Sequence, residues 1–468
     1  METDNQKTTF KGKINNFFKI QERGSSIAKE TVGGIVNFMV TCYVMVVIPN
    51  IIAGTTNVLL WKGIFLSTIL SAIIVTASIA LLGNIPMVYA PGLGLSSYIA
   101  SLMSKGIYNY TECLVIIMFA GIIFLALTLT NARQKMVEAI PKSVKDAMAI
   151  GIGLFVAKIA FDDSILAFLA NGPTYYADGA ILPIWVSAMV TFVSFVIIVI
   201  LEKKQIKGGI FYGIISGTVL YMILQVCFGI NPFGVLLENS WLPPFKEFYS
   251  ECLLKLDFKS VFTNGGVVKA LLTAALMVFA FTLVDVFDTF GTLFGVCSRA
   301  NLIKDGDMST IPSFNKIMIA DSACAIVSSL IGVPTCTAYI ESTAGIESGA
   351  RTGLSALVTS ILFVLCMFLS PIAMLIPSAA TSSALIYVGI LMFGAINELD
   401  FVNIENAVPS FLTIILMPLT GNIAFGIAFG LIIYCLMMIC EKRAKEVSVF
   451  AYLSSILFII YFATYNIF

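Results

Sequence analysis

The sequence predicts an all-α polytopic membrane protein of about fourteen transmembrane segments, arranged as two inverted repeats of seven. Three observations carry this. Hydrophobic residues make up 59% of the 468 residues and charged ones only 12%, with a mean hydropathy of +0.97; soluble domains carry about 25% charged residues. Apolar runs of about 17–25 residues, the length a helix needs to cross a bilayer, recur along the whole chain. Two further segments are short, polar for a membrane and led by Pro or Gly, and they occupy matching places in the two halves. Alternating ten-residue strands are absent, which sets aside a barrel.

The first 30 residues, METDNQKTTFKGKINNFFKIQERGSSIAKE, are polar and lack the apolar stretch of a secretory signal, so they read as a cytoplasmic tail. Spans follow at 31–50, 62–82, 112–131, 144–161, 182–201, 207–229, 268–295, 314–331, 353–370, 378–397, 422–440 and 446–465. The short segments 90–103 and 334–348 complete the fourteen. The one long hydrophilic connection, 230–266, is expected outside the cell and separates a first repeat at 31–229 from a second at 267–468.

Adding 241 to a residue number carries 112–131 onto 353–372, 182–201 onto 423–442, and 207–229 onto the last helix. It also sets Ser96-Ser97-Tyr98-Ile99-Ala100 beside Thr337-Ala338-Tyr339-Ile340-Glu341. Seven is an odd number, so the second copy must run inverted. Inverted repeats with paired broken helices mark a secondary transporter, with its site at the midplane where the breaks meet.

Basic loops orient the chain. Lys7, Lys11, Lys13, Lys19, Arg23 and Lys29 of the tail, Arg133, Lys135, Lys142 and Lys145, and Lys203, Lys204 and Lys207 all fall on one side of this count. That side is expected to be cytoplasmic, in the plasma membrane. The stretch EKRAKE at 441–446 falls on the other side. The ten cysteines are scattered with no CxxC, and read as small buried hydrophobes rather than a disulfide or metal framework. No cofactor is expected. A formal net charge of zero gives no reason to expect a nucleic-acid partner, and the absence of HExxH and GxSxG gives none to expect an enzyme.

Segments 90–103 and 334–348 begin with helix breakers, Pro91-Gly92 and Pro334, and continue through small hydroxyl residues into a short helix. Backbone leaves helical form at membrane depth only where protein or a water-filled cavity surrounds it. Two half-helices from opposite sides can aim their free N–H groups at one ligand; a Pro-kinked span packed through small residues is the competing reading. Ionisable residues within spans are functional candidates. They are Asp285 and Asp288 in FTLVDVFDTFGTLFGV, Asp321 in IMIADSACAIV, Glu341, and Lys158 in GLFVAKIAFDD. A carboxylate bonded within the bundle competes for each acid, and Lys158 reads as a snorkelling lysine paired with Asp162. Tyr98, Tyr339 and Phe155 could stack on a planar ligand or simply pack. The chain has no histidine, so proton chemistry near neutral pH falls to carboxylates, tyrosines, cysteines or lysines.

VDVFDTFGTLFGV, IADSACAIVSSLIGVPTCTAYIESTAGIESGARTGLSALV and YAPGLGLSSYIA resemble the nucleobase:cation symporter family, the xanthine/uracil permease superfamily. Within it they are most similar to the AzgA-like hypoxanthine–guanine–adenine permeases, as are QERGSSIAKETVGGIVNFMV and AVPSFLTIILMPLTGNIAFGIAFG. The resemblance runs from about residue 17 to the end. It implies core and gate domains, with short strands in the third and tenth segments crossing at the midplane. By motif position Asp288 takes the place of the family's eighth-span carboxylate and Glu341 that of its tenth-span group. Substrate-binding candidates are thus Ser96, Ser97, Tyr98, Phe155, Asp285, Asp288, Thr337, Tyr339, Glu341 and Ser342, with the coupling proton on Asp288 or Glu341. The resemblance implies uptake of a purine nucleobase by alternating access with H+ as the coupling cation; a homodimer is left open. Ser96 stands where the branch usually has Asn, and Lys158 where it has an apolar residue. Transport of uracil or xanthine, or of a small anion on the same architecture, is the alternative.

Overall fold

The computed structural model describes residues 10–54, 57–130, 140–173, 175–176, 182–234, 236, 239–263, 267–303 and 310–465, with some side chains of the helix Val267–Arg299 and a few near the termini outside that description. A short helix α1 (Phe10–Phe18) precedes the first span. That span is two helices, α2 (Ile27–Thr41) and α3 (Val44–Ala53), parted at Cys42-Tyr43. The first half continues through α4 (Val58–Leu82), the strand β1 (Tyr89–Pro91), α5 (Leu93–Ser104), α6 (Tyr110–Leu129), α7 (Lys142–Phe161), α8 (Ile184–Lys203) and α9 (Gly209–Cys227). The second half holds α10 (Val267–Arg299), α11 (Phe314–Ile331), the strand β2 (Cys336–Ala338), α12 (Gly353–Cys366), α13 (Ser378–Phe393), α14 (Ile404–Thr420), α15 (Ile423–Cys440) and α16 (Val449–Tyr465).

Helix starts are marked by side chains that take up otherwise unpaired N–H groups. Ser26 caps α2, Asn57 caps α4 and Thr352 caps α12. Asn109 and Glu112 form a reciprocal capping box on α6. Buried Glu30 accepts the N–H groups of Arg351 (2.8 Å) and Thr352 (3.2 Å), so α2 is tied to the start of α12. Arg299 pairs with Glu347 in solvent at 3.1 Å.

β1 and β2 pair antiparallel, Tyr89 with Ala338, Ala90 with Thr337 and Pro91 with Cys336. Sheet backbone with open edges is costly inside a membrane unless each edge finds a partner. The outer edge of β1 is served by the Thr76 hydroxyl of α4, which accepts from Tyr89 N–H (3.0 Å) and donates to Tyr89 C=O (2.8 Å). The outer edge of β2 is served by the Cys324 thiol of α11, which donates to Cys336 C=O at 3.1 Å. The pairing extends one residue each way, from Gly92 N–H to Thr335 C=O and from Tyr339 N–H to Val88 C=O, both at 3.0 Å. Gly92 suits this close approach: a Cβ on it would stand 3.0 Å from Thr337 Oγ1, and the threonine would have to give way.

Two expectations from the sequence need correcting. The span list passes over α14, whose seventeen residues hold Pro409 and Pro418 and begin beside Glu405 and Asn406. Its apolar stretch is shorter than the about twenty residues of an ordinary span. α14 nonetheless lies between α7 and α15, where the Ser410 hydroxyl donates to Ser143 C=O at 3.0 Å. It reverses the chain once more, so EKRAKE lies at the end of the bundle where α7 begins. Arg443 of that stretch sits 3.7 Å from Glu405 at the start of α14, the same end as Ser143.

The second correction concerns the constant offset. Thr191 of α8 donates to Ala379 C=O at the start of α13, just as Ser410 of α14 bonds the start of α7. Gly213 and Gly217 of α9 face Ile198 and Ser194 of α8, and Gly426 and Gly430 of α15 face Met417 and Thr413 of α14. By these contacts α8 corresponds to α14 and α9 to α15, not to the two helices that follow. The Tyr-Ile coincidence also dissolves. Gly83 and Gly332 end α4 and α11, Pro86 and Pro334 precede the strands, and Ala90 and Thr337 are the strand centres. Glu341 then lies where the first copy has Leu93 and Gly94, not Ala100, and Tyr98 is not the counterpart of Tyr339.

Candidate functional site

The site grows out of the crossing. Beyond β2 the chain makes one 3-10 turn, Ile340–Ser342, and a five-residue helix, Thr343–Glu347. Tyr339 lies at the junction, and its phenol donates to Pro91 C=O at 2.7 Å, clamping the end of the opposite strand. Thr337 is the strand centre, buried against Ala90. Ser342 Oγ accepts from Val88 N–H at 3.0 Å. These three predicted residues therefore hold the two broken segments together.

Glu341 projects from the 3-10 turn and is only 8% exposed. Its Oε1 accepts a hydrogen bond from the Tyr43 hydroxyl at 3.0 Å. Tyr43 belongs to the break in the first span and was not among the predicted residues. The signal was present in the sequence: Asn37, Thr41 and Tyr43 interrupt an apolar run that also contains Pro49.

α10 packs across β2 and brings a second carboxylate. Asp285 is 5% exposed, and Thr289, one turn on, is fully buried. The Thr289 hydroxyl donates to Asp321 Oδ1 of α11 at 3.1 Å. Asp285 and Asp321 both act electrostatically on Cys324 and on Cys336 in β2. Asp285, Asp321 and the strand thus share one neighbourhood, with Thr289 a further member that reasoning from charge alone did not single out. Asp288 lies in α10 between Asp285 and Thr289, and its side chain is outside the described ones.

On the first copy, Ser96 is buried and donates to Gly92 C=O at 2.7 Å, a bond within its own helix. Ser97 is buried with its hydroxyl unpartnered among the described residues. Tyr98 stacks on Phe281 of α10, centroids 5.0 Å apart and planes 26° apart, joining the third segment to the helix of Asp285. Phe155 is buried on α7 in the main core. Lys158 is ion-paired with Asp162 near the surface, away from the crossing. Among the described residues no group of His, Cys, Asp or Glu is arranged to hold a metal.

Two short paired strands, buried Asp285 and Glu341 beside one of them, and a ring stack to the facing helix gather polar groups inside an otherwise apolar bundle. The profile of Xan_ur_permease, a permease family, matches residues 28–429. The chain belongs to that family. It is therefore a multi-pass transport protein, not an enzyme. It is 33% identical to the guanine/hypoxanthine permease PbuO of Bacillus subtilis over 464 residues, covering 95% of this chain and 99% of the relative. It is 31% identical to the adenine permease AdeQ of Escherichia coli over 440 residues, covering 93% of each. The family is the one its motifs resemble, and these relatives carry names from the purine side of it. Among solved structures, the transmembrane domain of the cyanobacterial bicarbonate transporter BicA matches with a TM-score of 0.60 at 18% identity, covering 85% of this chain and 96% of that one. The murine anion transporter Slc26a9, in an inward-facing state, matches at 0.59 and 11% identity, covering 88% and 68%. At these identities the likeness is one of fold.

Proposed function

We propose that this permease takes up purine nucleobases across the plasma membrane, coupled to protons, with its N-terminus in the cytoplasm. The observation that carries the reading is the pair of buried acids, Glu341 and Asp285, flanking a strand crossing at mid-bundle. A purine base is flat and neutral and presents ring N–H groups. Buried carboxylates accept such donors well and do not repel a neutral ligand. The relatives named as guanine/hypoxanthine and adenine permeases supply the ligand class.

Coupling follows from the same acids. Carboxylates gathered in one low-dielectric site do not all stay ionised, so one takes a proton as the site loads. Neutralisation lowers the charge buried at the site and lets the loaded core move past the gate, which is alternating access. Asp288 and Glu341 are the candidates for the proton, and Ser97 and Tyr98 for contacts with the base. The seven-segment units are read as 31–229 and 267–440, with α16 appended. The basic loops, now joined by EKRAKE, orient the chain.

A small anion is the second reading, because the bicarbonate and anion transporters share the fold. Acids at the crossing oppose it. The test is uptake of labelled hypoxanthine into proteoliposomes under an imposed proton gradient, with adenine, guanine, uracil, xanthine and bicarbonate as competitors. Proton-driven accumulation displaced by purines is the expected result. In Asp288→Asn accumulation against the gradient is expected to collapse while the protein still inserts. Bicarbonate uptake indifferent to purines would overturn the reading, and wild-type proton-driven accumulation by Asp288→Asn would remove that residue's role.

A further inference from the structure

The first span grips the tenth segment at two points. Asn37 of α2 accepts from Gly345 N–H at 3.0 Å, in the helix that follows Glu341. Six residues on, Tyr43 reaches Glu341 itself. The first contact holds backbone; the second holds only a carboxylate, the group read above as a ligand for the base.

The local chain explains how Tyr43 gets there. Between α2 and α3 the backbone turns, with Met45 N–H bonding Cys42 C=O and Val46 and Val47 N–H both bonding Tyr43 C=O. This offsets the two half-helices. The ring of Tyr43 is 3% exposed, and Tyr339 and Glu341 are its electrostatic neighbours. A buried tyrosine usually directs its hydroxyl to a partner. Here that partner is a carboxylate, where a hydrogen bond is of the stronger, charge-assisted kind.

We propose that Tyr43 is a positioning residue for the transported base: its hydroxyl fixes Glu341 in the orientation that accepts the ligand's N–H. The inference rests on the reading of Glu341 as a base ligand. A glutamate has three side-chain torsions, and freezing them when the ligand arrives opposes binding. A phenol that already holds one oxygen freezes them beforehand, which is preorganisation. The first span thereby joins the third, eighth and tenth as a determinant of affinity, although it need not touch the base.

The test is Tyr43→Phe in the purified, reconstituted full chain, with labelled hypoxanthine as the probe. Loss of the hydroxyl alone is expected to raise the Kd and the KM for uptake about three- to tenfold while the maximal rate stays near wild type. In a Glu341→Ala background the same substitution is expected to change Kd less than twofold, because the group it positions is gone. A variant that merely loosened the bundle would lower the maximal rate and act alike in both backgrounds; that result overturns the proposal. So does wild-type Kd in Tyr43→Phe when Glu341→Gln binds weakly. If Glu341→Gln also binds as wild type, the fault lies instead with the ligand role of Glu341. Should Tyr43→Phe fail to insert, Glu341→Asp withdraws the carboxylate from the phenol by one methylene. Weakened binding at an intact maximal rate is then expected, and unchanged Kd overturns the proposal.

Discussion

The third and tenth segments build one crossing from two copies of a motif, yet they are not chemically alike. The first copy has no carboxylate from Ile85 to Ser104, and after β1 it runs straight into the twelve residues of α5. The second copy has Glu341 immediately after its strand, followed by only a five-residue helix. The edges differ too. A threonine hydroxyl makes two bonds to β1, while a cysteine thiol, a weak donor, makes one to β2. The first copy is the better-anchored wall, and on the proposed reading the second carries the ligand chemistry. Inverted symmetry supplies the scaffold, and that reading assigns recognition to the departures from it.

The largest expected effect comes from erasing the acid that separates the copies. Loss of one partner from a buried hydrogen bond costs about 1–3 kcal/mol, or roughly 5- to 150-fold in affinity. Glu341→Ala should weaken purine binding at least tenfold, and Glu341→Gln should keep part of it through the amide carbonyl. Calorimetry on the protein in detergent reads both. Wild-type dissociation constants for the pair would mean that the asymmetry has no bearing on the ligand.

A smaller effect tests the edges. Thr76→Val takes away the hydroxyl that serves both Tyr89 N–H and C=O, at about 1–3 kcal/mol for each group affected. Cys324→Ala removes a single thiol donor and should cost less than about 1 kcal/mol on that account, beyond the small loss of packing. Thermal unfolding in one detergent should rank Thr76→Val well below Cys324→Ala. Equal losses would show that the two walls are held equally.

The smallest effect concerns specificity in the first copy. Ser96 spends its hydroxyl on Gly92 C=O, so it offers little of its own to a ligand at the crossing. Ser96→Asn offers an amide there. It should reorder the purines that compete with labelled hypoxanthine while leaving transport within about threefold of wild type, as measured by inhibition profiles. An unchanged order would place the discrimination on the tenth segment alone.

Much of this was legible in the sequence because the breaks are written in residues with fixed physics. Pro91, Gly92 and Pro334 disfavour a continuous helix, and acids in apolar runs favour the bundle interior. The two crossing segments, Glu341, Asp285 and the Lys158–Asp162 pair could all be found that way. The register of the repeats could not. A shared Tyr-Ile dipeptide outweighed the prolines and the helix-ending glycines in the alignment, because one offset was asked to serve the whole chain. α14 escaped because Pro409 and Pro418 shorten its apolar run, and a hydropathy window does not see that α7 and α15 cover it. Tyr43 escaped because its importance lies in a contact with a residue far away in the chain.

α16 adds one more apolar helix after the two seven-segment units. It runs antiparallel to α15, with Ala451 in the cluster of Met438 and Phe462 stacked on Phe425. Phe279 of α10 packs on Phe450 and Phe458 of α16, so this last helix also leans on the helix that carries Asp285. If α16 crosses the membrane as the proposed orientation implies, tags placed ahead of α2 and after α16 are expected to report on opposite compartments.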